Sequence, residues 1–130
     1  EPSQLYISLV SPDEETYRET CKPLVGDSWE KLKETLDLLP SFDCVKVLRL
    51  TLVEGLNMRN PEGYARLIEK ADPDFVEPKG YVAVGHSRPR LGLSFMPEHR
   101  EIKSFAEELE KRTSYEITSE YEPSRVVLLS

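Results

Sequence analysis

The sequence is poor in metal-binding and redox side chains, with two cysteines, Cys21 and Cys44, and two histidines, His86 and His99. Two thiols far apart, with no CxxC spacing and no flanking His pair, exclude a disulfide framework and cannot complete an iron–sulfur ligand set. They read as reduced, partly buried thiols. His99 has no second ligand at helical spacing, so it reads as a first-turn helix residue and no metal site is expected. Long apolar runs are missing too: nothing approaches the roughly 20 residues of a membrane span. Glu1–Ser11 shows neither the basic start nor the cleavage pattern of a secretory signal, so a cytoplasmic location without a membrane partner is expected. Positive charge is in deficit, with 17 Lys and Arg against 24 Asp and Glu and a net charge of −7. The surface as a whole is therefore no platform for nucleic acid, because phosphate binding needs a local excess of cations. One local cluster departs from this balance: His86, Arg88, Arg90, His99, Arg100 and Lys103.

A chain of 130 residues supports one modest domain, residues 1–130, that buries roughly two-thirds of its unfolded surface. Leu5–Val10 is β-prone. Ser11-Pro12-Asp13-Glu14 then supplies a cap, a proline suited to the first helical position and a capping-box carboxylate, predicting a short helix to about Cys21. Ser28 caps a second helix with Trp29, Leu32, Leu36 and Leu39 at helical spacing, and Pro40 ends it. Val45–Val53 is a strand closed by a turn at Gly55 and Asn57. Asn60-Pro61-Glu62 opens a helix with Tyr64, Leu67, Ile68 and Ala71 on one face, stopped by Asp72-Pro73. A third strand runs Phe75–Val84, followed by a turn-rich loop to Pro97. The next helix carries Ile102, Phe105, Ala106 and Leu109, and Tyr115–Tyr121 and Val126–Leu129 read as terminal strands. Alternating strands and helices predict a parallel α/β sheet with right-handed crossovers.

Alternate residues of a strand face opposite sides of the sheet, so each strand divides into two sets. Leu48, Leu50 and Leu52 oppose Val47, Arg49, Thr51 and Val53, while Val76, Pro78 and Gly80 oppose Phe75, Glu77, Lys79 and Tyr81. In the first strand Leu5, Ile7 and Leu9 oppose Tyr6, Ser8 and Val10. A sheet covered by helices on both sides should be apolar on both, whereas a barrel can hold polar groups in its lumen, so the division favours a barrel wall. Buried Arg49, Glu77 and Lys79 need partners. A structural ion pair, Glu77 with Lys79 or Arg49, would satisfy them, and so would a ligand in the lumen. Pro78 lacks the ladder donor of an ordinary strand residue and marks where the strand could bulge.

Six blocks carry a resemblance: QLYISL (4–9), RLTLVEGLNM (49–58), YARLIEKADPDFVEPKGY (64–81), VGHSRPRL (84–91), MPEH (96–99) and YEPSRVVLL (121–129). Each alone is weak, but in this order and spacing they make the chain resemble the C-terminal half of the tRNA 4-demethylwyosine synthase family, with Pro78 the one departure. The resemblance implies the C-terminal half of a partial TIM-type (β/α)6 radical-SAM barrel, with parallel strands, outer helices and C-terminal strands, and a wyosine base formation region at about 60–112. It implies conversion of N1-methylguanosine at position 37 of tRNA(Phe) to 4-demethylwyosine with pyruvate, using S-adenosylmethionine and 4Fe-4S clusters. The family's cysteine triads have no counterpart here, so the chain is expected to be a fragment that needs the N-terminal half of the barrel as its partner. Alone it would be inactive, with an exposed strand edge that invites self-association.

Carried onto this sequence, the resemblance makes Ser8, Arg49, Thr51 and Asn57 candidates for the S-adenosylmethionine side. Glu77 and Lys79 become candidate catalytic residues in the lumen. Lys79 suits a carboxylate by charge, in preference to covalent chemistry. His86, Ser87, Arg88 and Arg90, past a strand C-terminus, suit tRNA phosphates and a splayed anticodon-loop base. Each has a plainer account: structural hydroxyls at Ser8 and Thr51, a simple turn at Asn57, a solvated loop at 86–90. A non-catalytic α/β module that keeps tRNA or partner binding is the alternative for the whole chain.

Overall fold

In a computed structural model, residues 4–9, 11–16, 28–55, 57–81 and 96–130 of the chain are described. The leucines of β2 (Val45–Leu52) decide the layering, since Leu48, Leu50 and Leu52 are all fully buried on one side of the strand. β2 pairs in parallel with β1 (Gln4–Leu9) on one side and β3 (Phe75–Gly80) on the other. Leu9, Val76, Val127 and Leu129 join those leucines in one core cluster with side chains of three helices. These are α1 (Ser28–Leu38), α2 (Pro61–Ala71) and α3 (His99–Arg112). Trp29 and Leu36 come from α1, Tyr64, Leu67 and Ile68 from α2, and Ile102, Phe105 and Leu109 from α3. The described helices therefore pack on one face of the sheet, and α2 meets α3 through an edge-to-face contact of Tyr64 and Phe105, 5.6 Å between ring centres.

The sheet is mixed: β1, β2 and β3 run parallel, as the parallel α/β reading expects, and the C-terminal strands join them antiparallel. Its order is β1-β2-β3-β5-β4, with β5 (Val126–Leu129) antiparallel to both β3 and β4 (Ile117–Tyr121). After α3 the chain enters β4 at the outer edge and turns through Glu122–Ser124, so β5 slots between β4 and β3 in the reverse direction. No closed barrel forms among the described residues, and the sheet is open.

The third strand stops at Gly80, short of the expected Val84, and residues 82–95 lie outside those described. Pro78 produces no slip against β2, where it stands opposite Leu50 within an unbroken register. The N–H of Gly80 reaches Arg125 of the β5 side and that of Tyr81 reaches Leu52, so even-numbered positions of β3 point their N–H groups toward β5. Pro78 is one of them, and the β3–β5 pairs are accordingly Val76 with Leu129 and Lys79 with Val126, with none at Pro78. The expected helix after Pro12 is helical at 14–16 and then leaves the described residues, as does Cys21; Cys44 is a half-buried free thiol. Tyr115, expected to begin the fourth strand, is instead a buried pin whose hydroxyl donates to the Pro73 carbonyl. Burial, then the charges of Asp72, Glu69 and Asp74, push its pKa upward.

Gly63 in the first turn of α2 is set by close approach. A Cβ there would lie 2.6 Å from Asn60 Nδ2 and 2.8 Å from the Pro12 carbonyl oxygen. In an open helix Gly→Ala stabilises by roughly 0.5–1 kcal/mol. Here the clash with backbone dominates, so Gly63→Ala should destabilise by about 1–3 kcal/mol in urea unfolding; a gain in stability would show that the Pro12 loop moves aside freely.

Candidate functional site

The parallel strands β1, β2 and β3 end at the same edge of the sheet, and the chain segments that follow β1 and β2 are tied together there. Asp13 accepts from the Thr16 N–H (2.7 Å) through one carboxylate oxygen and from Asn60 Nδ2 (2.8 Å) through the other. Arg59 Nε donates to the Thr16 hydroxyl, and Asn60 Oδ1 accepts from the Gly63 N–H as the cap of α2. Asn60 adopts a left-handed backbone, φ 54°, which asparagine tolerates better than most residues. Burial works to raise the Asp13 pKa, but the bonds from Thr16 and Asn60 and the charge of Arg59 outweigh it, and the net shift is downward.

Asn57 is fully buried. Its Oδ1 accepts from the Val53 N–H (2.7 Å), its Nδ2 donates to the Thr51 carbonyl (2.9 Å), and its own carbonyl accepts from the Tyr64 hydroxyl (3.0 Å). Asn57 thus clamps the turn at the end of β2, where Gly55 takes φ 78°.

The face opposite the helices carries the remaining candidates. Ser8, Arg49 and Glu77 stand side by side in register across β1, β2 and β3, and Thr51 stands beside Lys79 in the next row of that face. Ser8 is exposed, and the other four are half-buried. Arg49 pairs with Glu77 through Nε (3.1 Å) and Nη2 (2.9 Å), both on the same carboxylate oxygen. Of the two ion pairs open to Glu77, the structure forms the one with Arg49; Lys79 makes no hydrogen bond or ion pair with a described residue. Tyr6, absent from the sequence-derived candidates, lies beneath Arg49 with the guanidinium carbon 5.1 Å from its ring centre. The signal was present, since strand alternation put Tyr6 on the same face as Ser8, but register was needed to bring it to Arg49.

Of the basic cluster, His86, Arg88 and Arg90, together with Ser87, lie outside the described residues. The described members are paired with acids: His99 Nε2 and Lys103 Nζ both meet Glu120, at 2.7 and 2.8 Å, and Arg100 meets Glu98 at 2.8 Å. Hydrogen bonds from Lys103 and His99 pull the Glu120 pKa down. At the end of β2, a hydrogen bond with Glu101 and its charge hold the Glu54 carboxyl above its usual 4.5. Among the described residues no group of three or more His, Cys, Asp or Glu could hold a metal ion, and no helix is long and apolar enough to cross a membrane.

The fold of the chain is shared with solved structures. The chain superimposes over its full length on a TYW1 structure with a lysine–pyruvate adduct bound (TM-score 0.89, 37% identity, 41% of that chain). It also superimposes on a crystal structure of archaeal TYW1 (TM-score 0.77, 33% identity, 40% of that chain). Residues 70–130 match the family model for wyosine base formation. The chain is 50% identical over 129 residues to the S-adenosyl-L-methionine-dependent tRNA 4-demethylwyosine synthase of Pyrococcus abyssi. That match takes in 98% of this chain and 38% of the archaeal protein. Against the human TYW1 enzyme of the same description, identity is 32% over 130 residues, or 18% of that protein. The chain thus resembles the C-terminal part of tRNA 4-demethylwyosine synthases, as the six sequence blocks indicated, and spans well under half the length of these relatives.

The Asp13 network generates a pH dependence whose sign is fixed. The folded pKa lies below 3.8, so the ionised carboxylate stabilises the fold fully above that pH, and its contribution is lost as pH falls through the lower folded value. Asp13→Asn should therefore lower the melting temperature at neutral pH, with the gap from the parent narrowing once pH drops below 3.8. A gap that stayed constant with pH would remove the carboxylate from the network.

Proposed function

We propose that this chain forms the C-terminal part of a radical-SAM barrel that converts N1-methylguanosine at position 37 of tRNA(Phe) to 4-demethylwyosine with pyruvate. The observation that carries the reading is the open sheet face. Helices cover the leucine side, while Ser8, Arg49, Thr51, Glu77 and Lys79 occupy the side that would face the lumen if further parallel strands continued the sheet from the β1 edge. The match to wyosine base formation and to the synthases supplies the chemistry.

Within that reading the residues divide their work. Arg49 and Ser8 border the S-adenosylmethionine side, Thr51 and Lys79 the next row, and Asn57 fixes the turn that ends their strand. Glu77 orients Arg49. S-adenosylmethionine supplies the radical that starts the reaction. Two cysteines do not fit a 4Fe-4S cluster, and no described group fits a metal, so cluster ligation falls to residues outside these 130. Lys79 acts by charge, holding a carboxylate of pyruvate or of S-adenosylmethionine. His86, Ser87, Arg88 and Arg90 receive the anticodon loop by their charge and hydrogen-bonding groups. Cytoplasmic tRNA is the corresponding substrate pool.

In the complete protein that carries this chain, Lys79→Ala should lower 4-demethylwyosine formation by at least about tenfold, the effect of roughly 1.4 kcal/mol of transition-state stabilisation. Lys79→Arg, which keeps the charge but forms no imine, should restore most of it. An inactive Lys79→Arg beside a folded protein would favour covalent chemistry, full activity in Lys79→Ala would remove Lys79 from the site, and a parent protein that binds tRNA without forming 4-demethylwyosine would favour the non-catalytic module. Replacing Arg88 and Arg90 by Ala should weaken tRNA binding and reduce the slope of log K against log salt by about 1 per arginine; an unchanged slope would place the tRNA elsewhere.

A further inference from the structure

Arg49 is held from two directions at once. Its Nε and Nη2 edge is occupied by a single oxygen of Glu77, and its flat underside rests on the Tyr6 ring. A guanidinium is planar and carries its donors in a fixed fork, so fixing one edge and one face fixes where the others point. Arg49 Nη1 makes no hydrogen bond with a described residue, and the arginine side chain remains 37% exposed. Tyr6 is 50% exposed, and strand alternation puts it on the open face with Ser8. Glu77, at 16% side-chain exposure, is less accessible than Arg49 and cannot reach a ligand as readily as the arginine it holds.

We propose that Tyr6 is a positioning residue: with Glu77 it presets the free edge of Arg49 to receive the carboxylate of a small ligand on the open sheet face. The proposal rests on the lumen assignment of the preceding subsection and adds a residue and a ligand chemistry to it. Lys79 supports the choice of a carboxylate, since it stands on the same face two residues beyond Glu77 and carries a charge that no described acid neutralises. A second carboxylate oxygen could then meet it. Two ligands of the proposed reaction carry such a group, the methionyl part of S-adenosylmethionine and pyruvate, and the test separates them.

The dissociation constants of S-adenosylmethionine and of pyruvate are to be measured separately on the complete protein by calorimetry. Tyr6→Leu should weaken one of the two by about two- to fivefold, the loss of a cation–π contact at an exposed site, and leave the other unchanged. Tyr6→Phe, which keeps the ring, should bind as the parent does. In an Arg49→Ala background, Tyr6→Leu should have no further effect, because its influence passes through the arginine; a purely structural tyrosine would weaken binding in both backgrounds. Equal affinity of Tyr6→Leu and the parent for both ligands overturns the proposal, as does a Tyr6→Phe protein as weak as Tyr6→Leu. If Arg49→Ala weakens binding while Tyr6→Leu does not, the clamp fails and the lumen assignment stands. If Arg49→Ala also binds both ligands normally, the assignment of Arg49 to the ligand side fails with it.

Discussion

The alternation along β2 is the constraint on which the other features depend. Leu48, Leu50 and Leu52 have no exposed surface, whereas Arg49 and Thr51 between them stay half-exposed. Each fully buried leucine contributes about 1.5–3 kcal/mol relative to an exposed one, so a register slip of one residue would exchange three such burials for two polar ones. That penalty locks β2, and through it β1 and β3, into one register. The row Ser8, Arg49, Glu77 exists because the leucines do not permit another.

The same one-sidedness explains how a polar face can persist without a cover. Helices α1, α2 and α3 all bring their apolar stripes to the leucine side, where Tyr64 and Phe105 lock two of them together. At the strand ends the chain relies on hydrogen bonds instead. Asn57 and Asn60 satisfy backbone groups that β2 and the first turn of α2 leave open, Asp13 accepts from the Thr16 N–H, and the Asp13–Asn60 and Arg59–Thr16 bonds place the β1 and β2 loops against each other. Packing thus sets the sheet, and side-chain hydrogen bonds set the edge at which its parallel strands end.

Much of this was legible in the chain because local rules and tertiary needs agree. The strand faces, the helices ending near Pro40 and Asp72-Pro73, and the first-turn place of His99 follow from period and capping. The antiparallel return of β5 was not legible, since nothing local in Val126–Leu129 distinguishes a parallel from an antiparallel neighbour. Neither was the engagement of His99 and Lys103 by Glu120, which is brought from a strand 17 residues beyond the lysine in sequence. Charge clusters counted along a chain ignore acids delivered by folding. Tyr6 and Arg49 are likewise 43 positions apart, and only the β1–β2 register makes them neighbours.

The Arg49–Glu77 pair is a poor candidate for a stabilising device. Pairs open to water contribute about 0–1 kcal/mol, and this one leaves the arginine side chain 37% exposed. The leucines beside it outweigh that several-fold, so β2 and β3 would stay paired without it. Its geometry is nevertheless well defined: two nitrogens on one oxygen, and an aromatic ring beneath. An arrangement that contributes little to folding yet restricts a guanidinium in two directions is better explained by what it leaves unrestricted. The Nη1 edge, which bonds no described residue, is the part of the residue such a clamp would serve.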